Sequence, residues 1–144
     1  MYSKGQIQGM LLTIANPEVT IYKTNVNNIS YGVRVRVLFR ATNMDFLKAL
    51  QRTLYQYRIK SVLKDRESNQ RNLPILIIGE RRSLRRLINI IPNNVPKSHN
   101  NWDLISRMLE AIEDKKHLDE DGIIEMKEWY DDNKDKRKTN IISG

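Results

Sequence analysis

Arg34, Arg36 and Arg40 fall on alternate positions of Tyr31-Gly-Val-Arg-Val-Arg-Val-Leu-Phe-Arg40, while Val33, Val35, Val37 and Phe39 take the positions between. A period of two predicts a half-buried strand with one apolar side and one arginine-bearing open side. Guanidinium groups spaced this way suit polyanions, either guanine edges or phosphates. At about 3.4 Å per residue the segment spans roughly 30 Å, most of a turn of duplex. Further cations follow at Arg58, Lys60 and Lys64, and Arg81, Arg82, Arg85 and Arg86 crowd one side of a later apolar pattern. Arg66 and Arg71 in the polar loop Asp65–Arg71, with Asn27 and Asn28 in the loop Asn25–Ser30, either extend the same surface or are plain loop residues. Carboxylate chemistry is sparser, with Glu18 following the Asn16-Pro17 pair near the start of the chain. His99 and His117 stand alone and read as loop and capping residues, whereas Trp102, Trp129 and Tyr130 sit at helical spacing and read as core.

The charge balance sharpens this reading. The 144 residues carry a formal net charge of +8, unevenly distributed. Residues 1–99 hold 17 Lys/Arg against 5 Asp/Glu, and residues 100–144 hold 8 against 12. A polyanion-binding body is expected, with an acidic helical region that is a solvated face or meets a protein partner. There are no cysteines, which excludes disulfides and thiolate metal sites. No run approaches the roughly 18 apolar residues of a membrane span, and no apolar leader begins the chain. A soluble intracellular protein, cytoplasmic or nucleoid-associated, is expected.

The elements that must position these residues read as follows. Ser3 caps a helix with Ile7, Met10, Leu11 and Ile14 on one face, and Gly5, Gly9 and Thr13 make a second, small-residue stripe. Asn16-Pro17 is expected to stop that helix, with a strand Val19–Thr24 after it. Tyr31–Arg40 is the second strand, and Thr42-Asn43 caps a helix from Met44 to Gln56. Arg58–Lys64 and Asn72–Ile78 read as two further strands. Helices are expected at Glu80–Ile91, Trp102–Lys116 and Glu120–Lys134, with a proline loop from Pro92 to Pro96 and a frayed polar tail, Asp135–Gly144. The order α-β-β-α-β-β-α plus two helices predicts an α+β domain over residues 1–134. Its four-stranded antiparallel sheet would carry helices on one face and leave the other open and basic.

This order resembles that of the LAGLIDADG homing endonuclease family. The matching features are the strand running into Thr42-Asn43 and its helix, Gly79 before a basic helix, and the proline loop after that helix. The turn His117-Leu-Asp-Glu-Asp-Gly122 before the last helix is a fourth, and the likeness covers the chain from the first helix to about Lys134. It implies a curved sheet lying in the major groove of DNA. It also implies a motif helix that packs against a partner's copy and ends in an acidic metal ligand followed by glycine. One register places Leu11-Leu-Thr-Ile-Ala-Asn-Pro-Glu-Val19 on the motif, so Glu18 takes the acid's place while Thr13 and Val19 replace its glycines. A second register aligns Gly9 with the motif glycine, and Ile14 then falls where the acid belongs.

The resemblance implies double-stranded DNA binding by the sheet through Arg34, Arg36, Arg40, Arg58, Lys60, Lys64, Arg66, Arg71, Asn27 and Asn28. Cleavage would use Mg²⁺ shared between acids of two motif helices, and so requires a homodimer. Glu18 would be the metal ligand and catalytic acid, Asn16 a neutral oxygen ligand, and Lys60 or Lys64 the cation on the scissile phosphate. Gly5, Gly9 and Thr13 would form the dimer seam. If Glu18 is a working ligand the chain is a DNA endonuclease. The alternatives are a non-catalytic DNA-binding regulator or architectural protein of the same type, and an RNA-binding α+β domain. Against the last, the strands offer only Tyr22 and Tyr31 for stacking unpaired bases.

Overall fold

Ser3 opens the first helix with a reciprocal cap: its Oγ accepts the Gln6 N–H at 3.2 Å, and its own N–H reaches Gln6 Oε1 at 2.8 Å. This helix, α1, spans Lys4–Thr13 in the computed structural model, which describes residues 2–91 and 101–143, with side chains as far as residue 134. It ends three residues before Asn16, earlier than the proline predicts. Thr13 Oγ1 bonds back to the Gly9 carbonyl at 2.7 Å, and Ile14 closes the helix. Strand β1 then runs Ala15–Lys23, longer than expected, with Pro17 inside it. A proline is tolerated there because β1 is an edge strand and its missing N–H breaks no inner ladder.

β2 spans Tyr31–Arg40, and α2 spans Met44–Gln56, as the sequence predicts. Asn43 Oδ1 caps α2 by accepting the N–H of Asp45 at 2.8 Å. β3 is only Val62–Lys64, because Arg58 to Ser61 terminate α2 instead of extending the sheet. Arg58 sits in the left-handed region (φ 62°), and the Ile59 N–H turns back to the Leu54 carbonyl at 3.0 Å, which drives Ile59 into the core. β4 is Ile75–Ile78 and starts only after Pro74. The sheet order is β1-β2-β4-β3, with β4 antiparallel to both neighbours. Helices α3 (Arg81–Ile90), α4 (Trp102–Glu113) and α5 (Glu120–Ser143) complete the fold. α5 runs on past Asp135 to Ser143, a stretch without proline or glycine. His99 and the Pro92–Pro96 loop lie outside the described residues.

The chain divides into two compact units, and the division falls inside β1 after Glu18 and inside β2 after Val35. The first comprises Met1–Glu18 and Arg36–Trp102. Its core gathers Ile7 and Leu11 of α1, Val37 and Phe39 of β2, Leu47, Leu50 and Leu54 of α2, Leu76 and Ile78 of β4, and Leu84, Leu87 and Ile88 of α3. Trp102 is fully buried there and donates its indole N–H to the Leu11 carbonyl at 3.0 Å, satisfying an open group in the last turn of α1. The second unit comprises Val19–Val35 and Asp103–Gly144, with Ile105, Met108 and Leu109 of α4 and Ile123 and Met126 of α5 in its core. Gly32 belongs there by necessity, since a Cβ would overlap the Tyr22 ring. Gly122 is equally constrained, by the Lys116 carbonyl. Among the described residues no helix is long and apolar enough to cross a membrane.

Candidate nucleic-acid interface

The register of the sheet fixes which side chains share its open side. Arg40 stands opposite Ile75, which stands opposite Lys64; Leu38 stands opposite Ile77, which stands opposite Val62. Because β4 lies between β2 and β3, the expected continuous basic face is corrected. Ile75 separates Arg40 from Lys64, and the next row, Leu38, Ile77 and Val62, carries no charge; Leu38 and Ile75 are buried and Val62 is exposed. Arg58 and Lys60, expected on this face, are not on the strand at all. The Arg58 carbonyl accepts the Arg86 Nη1–H at 2.7 Å, and the Lys60 N–H donates to the buried Ser83 Oγ at 2.8 Å. Lys60 Nζ lies 3.7 Å from Glu80, in an exposed ion pair.

The two arginines of β2 in this unit are held rather than free-swinging. Arg36 donates Nε–H and Nη2–H to Glu18 Oε1, at 3.1 and 2.6 Å. Arg40 forms a two-pronged pair with Glu67, Nε to Oε1 at 2.8 Å and Nη2 to Oε2 at 2.9 Å. Arg71 Nε adds a third contact to Glu67 Oε1 at 3.3 Å. The Arg40 hydrogen bond is the main cause holding the Glu67 carboxyl below the usual range, aided by the charges of Arg40, Arg71 and Arg36 and opposed by desolvation. Glu67 is the residue that sequence reasoning missed, and the available signal was an acid inside a basic loop. Arg66 is exposed on the same loop.

In the second unit, Arg34 is exposed on β2, and Asn27 and Asn28 form the tip of the β1–β2 hairpin with positive φ (55° and 61°), a conformation asparagine tolerates. The base of that tip is fixed by Glu120 of α5, which accepts the Ser30 amide at 2.8 Å and the Ser30 hydroxyl at 2.5 Å.

Mg²⁺ asks for several oxygen ligands around one point. Glu18 lies within β1, not at the end of α1, and its Oε1 already takes two guanidinium N–H groups. The residue at the end of α1 is Ile14, 43% exposed, and Asn16 is exposed on β1. Among the described residues no three His, Asp or Glu side chains gather as a metal site. Glu18 and Asn16 are the oxygen ligands that one chain would offer to the cation that the resemblance implied, which two copies would share. Gly5, Gly9 and Thr13 line an exposed stripe of α1, and a Cβ built on Gly9 meets nothing within 4 Å.

No protein-family model and no curated protein matches this sequence. Solved structures do. The archaeal intron-encoded homing endonuclease I-Vdi141I, complexed with DNA, superposes with a TM-score of 0.77 at 14% identity, over 92% of this chain and 82% of that one. The homing endonuclease I-TnaI gives 0.72 at 16% identity, over 89% of this chain and 85% of its own. The LAGLIDADG meganuclease I-AabMI, bound to uncleaved DNA, gives 0.69 at 14% identity; 87% of this chain covers only 42% of that protein.

Proposed function

We propose that this chain, which has the fold of the LAGLIDADG homing endonucleases, binds double-stranded DNA through the open side of its sheet without cutting it. The observation that carries the reading is the pair of half-exposed arginines, Arg36 and Arg40, on one side of β2 in a fold whose solved examples include DNA complexes. Alternate residues on a strand present side chains to one groove, and a fixed guanidinium matches the O6/N7 edge of guanine. Within the first unit Lys64 and Arg66 supply phosphate and loop contacts in this reading, Arg71 acts through Glu67, and Arg58 and Lys60 act on the backbone of the duplex; Arg34, Asn27 and Asn28 are the contacts of the second unit taken by itself.

Two features support binding over cleavage. Ile14 at the end of α1 agrees with the register that aligns Gly9 with the motif glycine, which leaves the motif without its acid. The only acid near that point in sequence, Glu18, serves Arg36. Self-association through the Gly5, Gly9 and Thr13 stripe, with exposed Ile14 at its end, completes the proposal. A twofold dimer would read a pseudo-palindromic site.

The test is a salt titration of duplex binding. Arg36→Ala with Arg40→Ala should weaken binding to the selected duplex at least tenfold, while Lys64→Ala with Arg66→Ala should lower the slope of log affinity against log salt by about two. With Mg²⁺ and the sequences selected from random duplex, wild-type protein should leave the strands intact. Binding that neither double substitution changes sinks the interface; Mg²⁺-dependent nicking that Glu18→Gln abolishes sinks the non-cleaving reading.

A further inference from the structure

We infer that Glu67, and Glu18 in parallel, are positioning residues for base readout: each fixes one arginine of β2 so that its outer edge is presented to a guanine. The inference rests on the DNA-binding reading above and goes beyond it, because it assigns sequence discrimination to two acids on a surface that binds a polyanion.

Acids are costly on such a surface. Each one repels phosphate and removes a unit of positive charge from the counterion-releasing total. Yet the geometry places both acids against the β2 arginines on the side that carries Arg36 and Arg40. A guanidinium has five N–H donors. The Glu67 fork occupies Nε–H and one Nη2–H of Arg40, and leaves the Nη1/Nη2 edge with one parallel N–H from each nitrogen. That edge is the fork that matches guanine O6 and N7. Arg36 is engaged through the same two nitrogens and leaves the same edge.

An arginine that only neutralises phosphate gains nothing from this, since phosphate accepts a guanidinium from many directions. A reading arginine gains a great deal, because its long side chain carries rotamer entropy that a clamp removes before the base arrives. The two pairs differ in quality. Glu67 uses both carboxylate oxygens and also holds Arg71, so the β3–β4 loop and the end of β2 are fastened together. Glu18, from the neighbouring strand, meets Arg36 through one oxygen. Arg40 should therefore be the more selective reader. The two arginines are four residues apart on one strand, about 13 Å, so the base pairs they read fall within roughly half a turn of duplex.

The experiment compares base preference with bulk affinity. Sequences are selected from random duplex by the full-length wild type, Arg40→Ala, Glu67→Ala and Glu67→Gln, and each is titrated with the selected duplex and with unselected duplex. Circular dichroism and melting check the fold of each variant. Wild type should prefer G·C at a position whose preference Arg40→Ala erases. Glu67→Ala should reduce the preference at that same position about tenfold, while its affinity for unselected duplex stays level or rises. Glu67→Gln, which keeps an acceptor but loses the charge and one bond of the fork, should fall between. An unchanged preference in Glu67→Ala overturns the inference and leaves DNA binding standing. So does a loss of preference matched by an equal loss of affinity for unselected duplex. A wild type that binds no duplex overturns the DNA-binding reading and this inference with it.

Discussion

Ser30 and Glu120 are 90 residues apart in sequence, yet they share two hydrogen bonds that tie the β1–β2 hairpin to the start of α5. The Ser30 hydroxyl and then its amide hold the Glu120 carboxyl below the usual carboxylate range. A depressed folded pKa means that the contact's stabilisation is complete above the ordinary glutamate range and lost as pH falls through the folded value. Exchange of the Ser30 amide should accelerate, relative to its intrinsic rate, as pH falls below the ordinary glutamate range, and Glu120→Gln should exchange faster than wild type at neutral pH. An amide whose protection is flat across that range and indifferent to the substitution would show that the contact does not fix the hairpin. The Arg40–Glu67 fork follows the same sign. These are partly exposed pairs, so their effect belongs to positioning more than to stability. The sequence showed the arginines but not their partners, because pairing depends on how a loop folds back over a strand.

At the scale of elements, α1 holds two separable roles. Its buried side, Ile7 and Leu11, and the bond from Trp102 anchor it in its own unit. Trp102→Phe should cost about 1–3 kcal/mol in a denaturant melt, because the Leu11 carbonyl loses its buried donor. Its other side bears on assembly. Gly9→Leu should leave the melting of the monomer unchanged or improved, since nothing lies within 4 Å of a Cβ there and glycine is a poor helix former. If the stripe is a seam, the same substitution should abolish a dimer mass in sedimentation; a dimer that survives places the seam elsewhere. The strand boundaries were the least legible part of the fold. Arg58-Ile-Lys-Ser-Val-Leu-Lys64 alternates like a strand, but its first half is the left-handed exit of α2, a choice made by burying Ile59. Asn16-Pro17 reads as a helix stop, but Thr13 ends the helix first and an edge strand absorbs the proline.

At the scale of the whole chain, the sequence by itself determined the order of elements, the cap residues Ser3 and Asn43, the alternating strand Tyr31–Arg40 and the uneven charge of its two parts. Each of these is a local property, set by periodicity, by a side chain reaching its own backbone, or by composition. Only the tertiary structure decided that β4 lies between β2 and β3, which separates Arg40 from Lys64. Only it decided that Glu18 and Glu67 belong to arginines 18 and 27 positions away, and that α1 closes at Ile14, ahead of Asn16-Pro17. Strand order and ion pairing depend on contacts between residues distant in sequence, and no spacing along the chain records which of several cations a carboxylate will meet.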